Sequence, residues 1–202
     1  MVAIYVMIYW REQNGLFKVN WGSSGEGLVY TRTMKKALEL NDTQQHVKNF
    51  RPGLLVLSGT YGERPHLTNL ANNITKNTSV MVPISILNEK KRAKSGLLLA
   101  DDEDYYRKSG IAAFVKHLYW ENFGDGARAA LQAAGLGSLK PNTLLMGYKN
   151  NWMEKTDEVR GYIGAVTEAF MLKYGVAILR KSWKDESELA LDKNGNKIVK
   201  KK

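Results

Sequence analysis

The side chains of this chain that could support acid–base or metal chemistry are scattered. His46, His66 and His117 lie far apart in sequence, and none has an Asp, a Glu or a second His at the spacing of a metal site. Isolated histidines of this kind are typical of satisfied surface or core positions. The acidic run at residues 101–104 could hold a hard cation, but adjacent carboxylates in a polar loop usually only hydrate. The sequence therefore predicts no metal site.

Motifs for nucleophilic catalysis are also missing from the sequence. It contains neither the G-x-S-x-G elbow of serine hydrolases nor the H-E-x-x-H pair of zinc hydrolases. A glycine cluster at residues 22–27 precedes a helical stretch, yet it follows no strand and lacks the lysine of a phosphate-binding loop. It is interpreted as a connector, and the chain is not predicted to be an enzyme.

Composition limits the class of protein. The 202 residues suffice for one main domain, and the lack of cysteine excludes a disulfide scaffold and a cysteine metal site. The formal net charge of +10 fits nucleic acid, an anionic membrane surface or solubility alone. The lysines are scattered along the chain, and the densest group lies in the C-terminal tail. No aromatic platform stands at a recognisable motif, so no nucleic-acid partner is expected.

Strand-like and helical stretches alternate from residue 50 onwards. The apolar run Leu54–Leu57, between Pro52 and Gly59, is typical of a strand buried on both faces, so Leu55 and Val56 should be nearly inaccessible. Alternation of this kind implies right-handed crossovers. The sequence predicts a doubly wound α/β domain over residues 50–181, with a mainly parallel five-stranded sheet that resembles the universal stress protein fold. Further strands are predicted at 80–87, 111–118, 143–147 and 176–179, and helices at 28–40, 65–73, 123–134 and from 156 onwards.

Three finer expectations accompany this layout. Pro83 predicts an edge position or a bulge in the second strand. Residues 88–110, where a basic run meets an acidic one, are interpreted as a solvated excursion. The last helix is expected to direct one apolar face to the core, formed by Val159, Tyr162, Ile163, Val166 and Phe170.

A ligand site is expected where the strand order reverses, because ligands of open α/β sheets collect there at the carboxyl ends of the strands. If the first and fourth strands flank that point, one side of the site is formed by residues after the first strand and the other by residues at the end of the fourth. The chain is predicted to carry no cofactor, and ATP or ADP is the candidate if this site does bind a ligand. The glycine series of ATP binders is not evident after the fourth strand. The six candidate residues are Ser58, Gly59, Thr60, Gly147, Tyr148 and Lys149.

The two ends of the chain differ from its middle. Residues 1–10 are uniformly apolar and are followed at once by Arg11, which is typical of a helix that leaves a bilayer. A buried strand or the start of a core helix is the alternative. Residues 182–202 form a basic tail that is expected to be disordered. Basic residues near the apolar end predict contact with an anionic membrane surface, or they only hydrate the protein: Arg11, Lys18, Arg32, Lys35, Lys36, Lys48 and Arg51.

Three sequence blocks carry a family resemblance. They are Asn20-Trp21-Gly22-Ser23-Ser24, then Lys48 to Pro52 leading into Leu54 to Gly59, and Ala133 to Gly137 followed by Lys140-Pro141-Asn142. In this order and spacing they resemble the cytosolic C-terminal domain of the cation-chloride cotransporters, over residues 16–181. The first block, and Arg64-Pro65 after the strand, look like the sodium-dependent branch.

The resemblance implies a function. Residues 1–10 would be the end of a transmembrane helix, residues 11–49 a connector with a scissor-like helix, and residues 50–181 a regulatory and dimerising domain on the cytosolic side of the plasma membrane. The whole protein would be an electroneutral sodium-potassium-chloride symporter in chloride homeostasis and cell volume regulation. Its ion-binding residues would lie outside this sequence, as would the second α/β half that the family domain normally has. The alternative is a soluble universal-stress-type nucleotide-binding protein.

Overall fold

The computed structural model describes residues 2–13, 24–44, 46–60, 63–88, 95–149, 153 and 156–180. The chain divides into two compact units, Met1–Thr43 and Gln44–Lys202. The predicted tail at 182–202 lies outside the described residues.

The first unit contains two helices, α1 (Val2–Gln13) and α2 (Ser24–Asp42). Glu26 in the first turn of α2 offsets the positive end of the helix dipole. α2 begins before the predicted residue 28, so residues 24–27 of the glycine cluster are helical and not connector. Within the described residues, no helix combines the length and the apolar character needed to cross a bilayer. That residues 1–10 end a spanning helix stays a prediction.

The second unit is built on a five-stranded sheet with the order β3-β2-β1-β4-β5. All four neighbouring pairs are parallel, which confirms the predicted α/β class. The chain moves outward from β1 to β3, then returns across β1 to form β4 and β5. The strands are β1 (Leu54–Leu57), β2 (Met81–Leu87), β3 (Lys116–Tyr119), β4 (Thr143–Gly147) and β5 (Gly175–Leu179).

Helices cover both faces of the sheet. They are α3 (Pro65–Thr75), α4 (Ser95–Lys108), α5 (Phe123–Ala133) and α6 (Thr156–Met171). Leu55 and Leu57 pack in a cluster with α5 and α6, whereas Leu54 and Val56 pack in a second cluster with α3 and α4. Side chains of a strand alternate between faces, so a strand covered on both sides must be apolar throughout. Leu55 and Val56 are each 0% exposed, as predicted.

β2 is an inner strand, so the expectation that Pro83 marks an edge or a bulge was wrong. Met81 accepts a hydrogen bond from Phe114 N–H on the β3 side of the strand. Pro83 lies two residues further on and therefore faces the same side. The register with β3 begins only at Ile84, opposite Lys116. Pro83 thus lies before that ladder starts, and its missing N–H costs little.

The interpretation of 88–110 as a solvated excursion was also wrong, because Ser95–Lys108 is helical. Asp102 and Tyr106, one turn apart on α4, are buried at 1% and 4% exposure. The third strand is shorter than predicted: it begins at Lys116 and not at residue 111.

The apolar face predicted for α6 is divided between core and solvent. Ala165 and Ala169 are buried, and Tyr162 packs against them. Ile163 and Phe170 are 58% and 61% exposed. Small alanines define the packed stripe because α6 lies close to α5, so larger side chains are displaced to the outer surface.

Candidate functional site

The strand order reverses between β1 and β4, where ligands bind in open α/β sheets. These two strands are direct neighbours, with Leu57 opposite Met146 at their carboxyl ends. The condition set for the predicted site is therefore met. Ser58, Gly59 and Thr60 follow one strand, and Gly147, Tyr148 and Lys149 end or follow its neighbour, at the same edge of the sheet.

The turn after β1 is closed by its own residues. Gly59 has φ +75°, a left-handed conformation that glycine adopts without strain, and its carbonyl accepts hydrogen bonds from the hydroxyls of Ser58 and Ser85. The Thr60 hydroxyl donates to Glu63 Oε1 at 2.7 Å. A Cβ on Gly59 would meet Glu63 Oε2, the end of a side chain that can move, so the positive φ is the reason that glycine is favoured here. The hydroxyls of Ser58 and Thr60 are therefore both engaged within the protein.

The β4 side is held by contacts with α6 and with Arg180. The Tyr162 hydroxyl donates to the Gly147 carbonyl at 3.2 Å. Tyr148 lies beneath the guanidinium of Arg180, with 5.1 Å from Cζ to the ring centroid, which is a cation–π contact. Lys149 forms an ion pair with Glu158 of α6.

Arg64 connects the two sides of the crevice. It immediately precedes α3, and its Nη1 lies 3.6 Å from the position that a Cβ on Gly147 would occupy. The pKa of Tyr162 is raised by burial and by Tyr148, whereas the nearby charge of Arg64 lowers it, with a net increase. The crevice therefore presents a guanidinium next to the N-terminus of a helix, an arrangement that favours an anion.

Sequence reasoning did not identify Arg64 as a site residue. The only signal was its position directly before Pro65, which starts a helix at the end of a buried strand. Its approach to Gly147 depends on the pairing of β1 with β4, which no local pattern shows.

Known proteins resemble this chain over most of its length. The family model for Solute carrier family 12 matches residues 64–201. The chain belongs to solute carrier family 12. It is 39% identical over 170 residues to Solute carrier family 12 member 1 of Homo sapiens, a match that covers 81% of the chain and 15% of the relative.

Further family members match with similar extent. Member 2 of Squalus acanthias is 34% identical over 184 residues, covering 89% of the chain and 15% of the relative. Member 2 of Homo sapiens is 33% identical with the same two coverages. These matches confirm the resemblance to the cation-chloride cotransporters. The chain spans only about 15% of the length of these relatives.

A buried acid–base pair lies away from the crevice, within the residues that match solute carrier family 12. His117 Nε2 of β3 and Asp102 Oδ2 of α4 lie 2.6 Å apart, and their side chains are 3% and 2% exposed. His117 is thus a core residue with a carboxylate partner. Asp102 is buried, although the acidic run was expected to be hydrated. The sequence did not reveal this pair because it joins α4, which was not predicted, to β3. Among the residues described, no three His, Asp or Glu side chains converge as they would around a metal ion.

Proposed function

We propose that this chain is the cytosolic regulatory and dimerisation domain of an electroneutral sodium-potassium-chloride symporter of the plasma membrane. One observation carries the proposal: up to 89% of the chain matches family members 1 and 2, yet the match covers about 15% of their length. A segment of that proportion, folded as an α/β unit, suits a domain that controls a transporter. Its role would be non-enzymatic, in chloride homeostasis and cell volume regulation.

The transmembrane domain of the same transporter would be its first partner. A chimera tests this: the segment of Homo sapiens member 2 that aligns with this chain is replaced by the chain itself. We expect uptake that depends jointly on sodium, potassium and chloride to be retained. A chimera that reaches the plasma membrane but transports nothing would contradict the assignment.

A second copy of the chain would be its other partner. The outer face of α6 supports this, because Ile163 and Phe170 are exposed beside β5, which is an edge strand of the sheet within the described residues. In analytical ultracentrifugation the chain should self-associate with rising concentration. Ile163→Glu should shift it toward monomer, whereas Met153→Glu, at a site 77% exposed, should not. A wild-type monomer at the highest soluble concentration would remove the dimerising role.

Nucleotide binding in the crevice is the second candidate function, and Arg64 is the observation that favours it. ATP or ADP would place its phosphates near this guanidinium and the N-terminus of α3, between the turn after β1 and the end of β4. Calorimetry should give binding tighter than millimolar, lost in Arg64→Gln and kept in Arg160→Gln. Millimolar or weaker affinity would leave the scaffold role alone. Tight binding with no self-association and an inactive chimera would favour the soluble universal-stress-type alternative.

A further inference from the structure

The five loops that enter the strands form a continuous rim along one edge of the sheet, here called the amino rim. Because all five strands are parallel, their entry loops lie at the same edge. Neighbouring strands are about 4.8 Å apart, so the rim extends over about 19 Å. In the described part of the chain these loops are residues 46–53, 76–80, 109–115, 134–142 and 172–174.

Two asparagine side chains fasten these loops to one another. Asn142 joins the loop before β4 to the loop before β1, and Asn77 joins the loop before β2 to the loop before β3. The rim is therefore a fixed surface and not a set of independent loops. The bonds are Gly53 N–H to Asn142 Oδ1 (3.1 Å), Asn142 Nδ2 to Arg51 O (2.8 Å), Asn77 Nδ2 to Gly110 O (3.1 Å) and Ala112 N–H to Asn77 Oδ1 (2.9 Å).

The charge of the amino rim is of one sign. None of its five loops contains an Asp or a Glu in the sequence. Its five exposed bases form no ion pair within the part of the chain that the structure describes. The opposite edge of the sheet differs, since Glu63, Glu121 and Glu158 are exposed there. The five bases are Lys48, Arg51, Lys76, Lys140 and Lys173.

Helix dipoles account for only part of this pattern. Lys76 follows α3 and Lys173 follows α6, where a cation offsets the negative end of a helix. Lys48 lies in a single 3₁₀ turn, Val47–Asn49, which is too short to build up a sizeable dipole. The dipole also gives no reason for apolar side chains on the same surface.

Large apolar side chains project between these bases. Val47 is 89% exposed, Leu136 is 81%, Phe114 is 69% and Phe50 is 68%. They come from three different loops that parallel pairing brings to one edge. Aromatic and aliphatic tips interspersed with lysine and arginine are the composition of surfaces that enter the headgroup layer of a bilayer.

We propose that the amino rim docks on an anionic lipid bilayer, with Phe50, Phe114 and Leu136 entering the headgroup region and the five bases facing lipid phosphates and carboxylates. The single sign of charge selects an anionic partner. The separated apolar tips select a penetrable surface, whereas a folded protein partner would need matching pockets. The proposal rests on the proposed function only in placing the domain beneath a membrane. Vesicle binding is measured separately from self-association and transport.

Insertion can be tested by site-specific fluorescence, because the chain has no cysteine. A single cysteine is placed at Leu136 of the rim, and in a matched variant at Met153, which is 77% exposed and lies outside the rim. Each full-length variant carries an environment-sensitive dye and is mixed with phosphatidylcholine vesicles, with or without phosphatidylserine. At position 136 the dye should shift to the blue and brighten with phosphatidylserine only. At position 153 it should not change.

The charge requirement is tested with two matched double variants in vesicle co-sedimentation. Lys48 and Lys140 are changed to Gln in one, and Arg128 and Arg160 in the other, so that both lose the same charge. A cation close to an anionic bilayer strengthens binding about five-fold, so the rim variant should bind about 25-fold more weakly than the wild type. The control should bind like the wild type, and wild-type binding should fall steeply with salt.

Three results would overturn the proposal. Equal binding to neutral vesicles would show that charge selects nothing. Equal losses in the two double variants would show that only net charge acts. An absence of binding to phosphatidylserine vesicles at low salt would exclude a lipid surface and leave an acidic protein as the partner of the rim.

Discussion

Replacement of Gly124 by alanine should lower the free energy of unfolding, because α5 and α6 meet there through glycine backbones. A Cβ on Gly124 would lie 2.8 Å from Gly161 Cα and 3.3 Å from Gly161 O, whereas ordinary contacts are 3.4–4 Å. No flexible side chain can yield at this point, so the helices must separate by several tenths of an ångström. The alanines packed between them, Ala127, Ala130 and Ala165, would lose contact as well.

The size of the effect follows from two opposed terms. Overpacking of a well-packed interface costs about 1–3 kcal/mol. Alanine in place of glycine gains at most about 1 kcal/mol of helix propensity, and less in the first turn of α5, where Gly124 lies. Overpacking should prevail, and we expect a net loss of about 1–2 kcal/mol.

Urea unfolding followed by circular dichroism measures this loss, with the slope m checked for constancy. Gly164→Ala on α6 is the matched control. There the nearest atom to the new Cβ is Arg128 Nη2 at 3.3 Å, the mobile end of a side chain. This variant should equal the wild type or exceed its stability by up to about 1 kcal/mol. If Gly124→Ala were as stable as the wild type, or if both variants lost equally, backbone contact would not limit the helix crossing.

Three further outcomes are expected. Leu55→Asp places an unpaired charge at a position with 0% exposure, so no cooperative melting should be seen in calorimetry; a soluble, cooperatively melting variant would refute the central placement of β1. Asp102→Ala should lower the free energy of unfolding by about 3 kcal/mol, because it leaves His117 buried without its carboxylate, and a loss below about 1 kcal/mol in urea would argue against a structural pair. Burial raises the pKa of Tyr106 above its usual value near 10, so the unfolded chain ionises first and stability should fall as pH rises above about 10, by up to about 1.4 kcal/mol per pH unit. In Tyr106→Phe this slope should be smaller in urea titrations between about pH 9 and pH 11, and an unchanged slope would exclude Tyr106 as its source.

Much of the fold could be predicted from the sequence, because apolar runs and turn residues are local features of the sequence. An uninterrupted apolar run such as Leu54–Leu57 can be satisfied only by cover on both faces, and Pro65 marks where a helix begins. Six residues of the candidate site could be predicted, because they lie at or just after the ends of β1 and β4. The family could be recognised as well, because its motifs are contiguous blocks of sequence.

Other features were decided by tertiary structure alone. Pro83 is tolerated inside the sheet because β3 begins too late to need its N–H. Asp102 is buried because α4 directs it to His117 on β3, and Arg64 reaches Gly147 because β1 pairs with β4. The amino rim exists only because parallel pairing collects loops that are distant in sequence. Periodicity and turn residues act over a few neighbours, so a sequence expresses them directly, whereas burial and charge at a point depend on which distant segments the fold brings there.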